Sequence, residues 1–102
     1  MDQLLVLLKE ILGSDNVYFQ PPPSLTMAYP CIVFNRMNMD VAFANNSPYR
    51  LTQRYMVTLI DRDPENPAIE KLASLPMCRH DRWFASDNLN HDVFNLYFKE
   101  KA

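Results

Sequence analysis

The stretch Tyr49-Arg50-Leu51-Thr52-Gln53-Arg54-Tyr55-Met56-Val57-Thr58-Leu59-Ile60-Asp61 decides the fold. It is rich in aromatic and β-branched residues, which suit a pleated, half-buried surface. Successive side chains of a strand point to opposite faces. Leu51, Tyr55, Val57 and Leu59 therefore share one face, and Arg50, Thr52, Arg54 and Thr58 share the other. The alternation predicts the longest strand of the chain.

Upstream, Asn45-Asn46-Ser47-Pro48 is a cluster of turn formers, preceded by Asp40-Val41-Ala42-Phe43-Ala44, a short strand or loop edge. Cys31-Ile32-Val33-Phe34, led in by Tyr29-Pro30, reads as a separate buried strand. Val17-Tyr18-Phe19 is a further short strand. It is ended by Pro21-Pro22-Pro23, which cannot join a ladder and forms a stiff connector. At the N-terminus, Leu4, Leu5, Leu8, Ile11 and Leu12 recur on one helical face, Asp2 can cap the helix, and Gly13 is placed to end it. Val6 and Leu7 widen the apolar surface beyond a single stripe.

Downstream, Asp61-Arg62-Asp63-Pro64-Glu65 is a sharp strand exit, and Asn66 caps a helix with Pro67 at its first position. Ile69, Leu72 and Ala73 give that helix its inner stripe, and Pro76 stops it. Two strand-like runs follow, Cys78 to Ala85 and Val93 to Phe98, joined by a turn over residues 86–92. The order is helix, about four strands, helix, two strands. It predicts one α+β domain over residues 1–102, a mostly antiparallel sheet flanked by the N-terminal helix and a second helix near residues 67–75.

Composition bounds the function. At 102 residues the chain can build one core, and 48% hydrophobic content makes it globular. Its single glycine excludes P-loop, dinucleotide and nucleophile-elbow chemistry, each of which needs several. A net charge of −2 argues against wholesale wrapping of nucleic acid. Cys31 and Cys78 form no C-x-x-C pair and read as reduced thiols. The apolar N-terminal run is cut by Lys9 and Glu10, too short for a membrane span and without the basic head of a secretory signal, so a soluble, unexported protein is expected.

Several constellations have the residue types of a site. Asp61, Asp63 and Glu65 match the start of a calcium loop, but Asn66 replaces its glycine and Leu72 its bidentate glutamate. Cys78 and His80 point the same way on a strand, and His91 in the following turn can fold over to join them around a metal ion. That set makes a metal-binding enzyme or adaptor the alternative reading from a different class. Nothing announces an activated Cys/His nucleophile or a paired-carboxylate site. Arg50 and Arg54, with Arg36 and Arg82 on neighbouring strands, form a stripe able to track phosphates or meet an acidic protein surface. Twelve aromatics (one Trp, five Tyr, six Phe) and six methionines are many for one small core, which hints at association surfaces.

Three blocks resemble the small tail completion proteins, also called tail terminators or head–tail joining proteins, of long-tailed bacteriophages. The first is Tyr29-Pro30-Cys31-Ile32-Val33-Phe34. The second runs from Asn46-Ser47-Pro48-Tyr49 through Arg54-Tyr55-Met56-Val57-Thr58-Leu59-Ile60-Asp61-Arg62-Asp63-Pro64. The third is Leu75-Pro76-Met77-Cys78, continued by Asp87-Asn88-Leu89-Asn90-His91-Asp92-Val93-Phe94-Asn95-Leu96-Tyr97-Phe98.

The resemblance implies a non-enzymatic virion component without a cofactor, located at the tail–neck junction and assembled in the host cytoplasm. It implies a homo-oligomeric ring, usually six-fold, that caps the tail tube. Its partners are then further copies of itself, the tail-tube protein and the head–tail connector or neck protein, with possible non-specific contact to DNA in the lumen and none to a membrane. Arg36, Phe43, Asn45, Asn46, Tyr49, Arg50, Arg54 and Trp83 are assigned to these contacts. Within the same class the alternative is a neck stopper or adaptor; a small regulator directed at a host protein is a third expectation. Asn88 and Asp92 read as turn and cap residues leading into the last strand.

Overall fold

A computed structural model describes residues 2–44 and 47–100, and of residues 40–44 and 47–51 the backbone alone. The elements are α1 (Asp2–Leu12), β1 (Val17–Phe19), β2 (Cys31–Ala44), β3 (Ser47–Asp61), α2 (Ala68–Ala73), β4 (Cys78–Ser86) and β5 (Leu89–Phe98). The five strands form one sheet in the order β1-β2-β3-β5-β4. Every neighbouring pair is antiparallel except β1 with β2. A parallel neighbour needs a crossover of about a dozen residues, and the segment holding Pro21, Pro22 and Pro23 supplies it. The α+β, single-sheet expectation holds.

Both helices cover one face. Leu4 and Leu8 of α1 and Ala68 and Leu72 of α2 share a core with Ile32, Phe34, Tyr55, Val57, Leu59, Phe94 and Leu96. Pairing in register aligns Phe34, Val57 and Phe94 across β2, β3 and β5, so a single row of side chains fills the centre. Phe19 tilts onto Phe34 at 5.0 Å between ring centroids, and Phe34 onto Tyr55 at 6.1 Å, within the range of favourable aromatic pairs. Gly13 ends α1 at φ +74, as its placement predicts. Asn66 Oδ1 accepts the N–H of Ala68 at 2.8 Å and so holds the start of α2. In α2 the inner stripe is Ala68 and Leu72, with Ile69 half-buried; Ala73 faces solvent, contrary to the expectation, because the helix is too short for a second apolar turn.

Three further expectations are corrected. The run Cys31–Phe34 and the run Asp40–Ala44 are one strand, β2, bent by a register shift between Arg36 and Met39. The turn expected over residues 86–92 is only Asp87-Asn88, both left-handed at φ 53 and 63, and β5 starts at Leu89. Asp92 is no cap; it lies within β5 and is 7% exposed.

Candidate functional site

The helix-free face is graded from one end to the other. Near the β4–β5 turn, register aligns Phe84, His91, Ile60 and Cys31 in one row across four strands. Phe84 and His91 stack at 4.5 Å, and Cys31 and Ile60 are buried. Toward the other end the face turns polar and basic, where Arg54 stands opposite Tyr97, and Arg79 opposite Asn95.

Arg54 is firmly oriented. Its Nε and Nη2 donate to Asn38 Oδ1 at 2.9 and 2.7 Å, and its Nη1 donates to Asn95 Oδ1 at 2.9 Å. Arg36 does not join it. Register places Arg36 opposite Tyr55, hence on the helix side, where its Nη2 donates to Gln53 Oε1 at 3.2 Å. The four-arginine stripe is therefore split between faces, because one residue of register reverses a side chain's direction. Arg82 pairs with Asp81 at 2.7 Å on the exposed β4. Asn45 and Asn46 lie outside the described residues, and so do the side chains of Phe43, Tyr49 and Arg50.

β4 is the outermost strand on its side, and every residue from Arg79 to Ser86 is exposed. Trp83 is 54% and Phe84 41% exposed, and Trp83 Nε1 donates to Asn90 Oδ1 at 3.3 Å. Trp83 thus occupies a surface position on this outer strand.

The metal constellation does not come together. Cys78 and His80 do share the helix-side face, opposite Leu96 and Phe94. His91 lies on the other face, and one of its ring nitrogens is turned to the carbonyl of Leu89 at 3.2 Å. Among the described residues no three His, Cys, Asp or Glu side chains converge on a common point. Burial pushes the Cys78 thiol above its ordinary pKa, only partly countered by a hydrogen bond from the Arg79 backbone. At the exit from β3 expected here, Asp63 Oδ1 accepts the N–H of Glu65 at 2.9 Å, and Asp61 Oδ2 accepts from Asn66 Nδ2 at 2.7 Å.

Sequence reading missed the His80–Asp92 pair, whose Nε2 and Oδ1 are 3.0 Å apart, with the His80 ring edge-on to Phe94. Only an extension of the Phe94, Leu96, Phe98 alternation back to residue 92 would have placed a carboxylate on the apolar side of the strand, where it needs a partner. No protein-family model matches the chain, and no curated protein matches it.

Proposed function

We propose that this chain is a structural protein of the tail–head junction of a long-tailed bacteriophage, in which identical copies form a ring that caps the tail tube and receives the neck. The observation that carries this reading is the unsatisfied perimeter of the sheet. β5 pairs with β3 only over Gln53–Asp61, so Ser47–Thr52 and their β2 partners form a two-stranded ribbon beyond the sheet body. The molecule is correspondingly long, 50 × 23 × 23 Å. A lone ribbon is marginal in water, and an exposed edge strand invites pairing with another chain.

Among the described residues two open edges lie on opposite sides of this sheet: β4 on one, and β2 beyond Arg36 on the other, past the end of β1. A head-to-tail contact between different surfaces repeats around an axis, and it closes into a ring where the rotation between copies is a whole fraction of a turn. Exposed Trp83 and Phe84 on β4 suit such a contact, since aromatics are enriched where proteins meet. The three sequence blocks that resemble tail completion proteins support the same reading.

The test is electron microscopy of phage lacking this chain. Filled heads apart from overlong or unattached tails are expected; complete, infectious particles would refute the proposal.

A further inference from the structure

At the end of the sheet where β4 begins, a cavity of about 360 Å³ is lined by Arg54, Met77, Cys78, Arg79, Asn95 and Tyr97. Its chemistry is set by how Arg54 is held. A guanidinium has five N–H donors, and Arg54 commits three of them to Asn38 and Asn95. Both acceptors are amides, which fix the direction of the group and leave its charge uncompensated. Arg79, exposed and opposite Asn95 in register, adds a second positive charge. Among the described side chains no carboxylate pairs with either arginine, whereas Arg82 is matched by Asp81. Cys78 borders the cavity, but its side chain packs on the helix side against the core.

We infer that this cavity is a carboxylate-binding site, which takes an aspartate or glutamate side chain from an acidic segment of a protein neighbour. An oriented guanidinium matches the planar two-oxygen geometry of a carboxylate. Met77 and Tyr97 give apolar walls for the stem and flanks of such a side chain. A polynucleotide fits less well: its repeating charge needs a continuous basic track, and here Arg82 is neutralised and the chain is net −2. The inference is independent of the tail reading, because it concerns a pocket within one copy.

Nuclear magnetic resonance titration of the full chain tests it, with acetyl-Gly-Glu-Glu-Gly-amide, its glutamine counterpart and a short oligothymidylate as probes. The glutamate peptide should saturably shift the amide signals of Arg79, Asn95 and Tyr97 and the Nε–H of Arg54, and the glutamine peptide should not. Arg79→Gln, a surface change that leaves the fold intact, should weaken the glutamate peptide about tenfold, as loss of a charged hydrogen bond does. Asn38→Ala should also weaken it by releasing Arg54. Equal shifts from both peptides, shifts confined to another surface, no effect of Arg79→Gln, or tighter binding of the oligothymidylate would each overturn the assignment.

Discussion

Asp92 is the one buried carboxylate among the described residues, and His80 answers it at 3.0 Å. Removing the partner of a buried polar group costs more than the bond itself contributes. His80→Ala should therefore lower unfolding stability by about 1–2 kcal/mol in urea titrations, water at the half-exposed ring position offsetting part of the loss. Arg82→Ala, which breaks only a surface pair, should change it by less than about 0.5 kcal/mol. Cys31 behaves differently. Burial first, and then the negative charge of Asp61, raise its thiol pKa to about 11. The fold thus favours the neutral thiol over the thiolate, whereas an unfolded cysteine ionises near about 8.5. Its contribution is complete below that pH and is lost as pH rises toward about 11. Thermal melts should show stability falling across this window, and Cys31→Ala should flatten the fall while costing about 1 kcal/mol at neutral pH. The burial of Cys31 was legible in its β-branched and aromatic neighbours. The His80–Asp92 pair was not, because polar residues around Asn90 also read as a turn.

The β4–β5 hairpin and the β2–β3 ribbon show why elements are harder to bound than to identify. Asp87 and Asn88 alone make the turn, since both accept left-handed backbone that most residues resist. Asn90 and Asp92 looked like turn residues, yet each has a tertiary use: Asn90 Nδ2 donates to the carbonyls of Asp61 and Arg62 at 3.2 and 3.0 Å. Asn88→Val should destabilise by about 1–2 kcal/mol in urea titrations, and Asn88→Gly should be close to neutral. The runs Cys31–Phe34 and Asp40–Ala44 read as separate, but the strand continues between them through an irregularity that its neighbour closes. Gln53 Nε2 donates to the Met37 carbonyl at 2.7 Å while its Oε1 accepts from Arg36. Gln53→Leu removes that closure. Hydrogen exchange should then quicken at Met37 and Asn38 and stay unchanged at Val57 and Phe94 in the core.

For the whole molecule, the α+β class, the flanking helices and the apolar sides of β3 and β5 follow from alternation and turn chemistry read directly in the chain. The arrangement of arginines does not follow, because the shift between Arg36 and Met39 and the order of strands decide which side chains meet. Nor can local patterns reveal that Arg54 is held by two amides from different strands. A small sheet with helices on one face, a projecting ribbon and two open edges presents much of itself to neighbours, and the proposed ring at the tail–head junction gives those surfaces a use. Cryo-electron microscopy of complete virions, focused on that junction, tests the claim most directly. The account predicts a closed ring of this chain there, with β4 of each copy lying along the next. A junction fully built from other chains, or virions that contain none of this one, would contradict it.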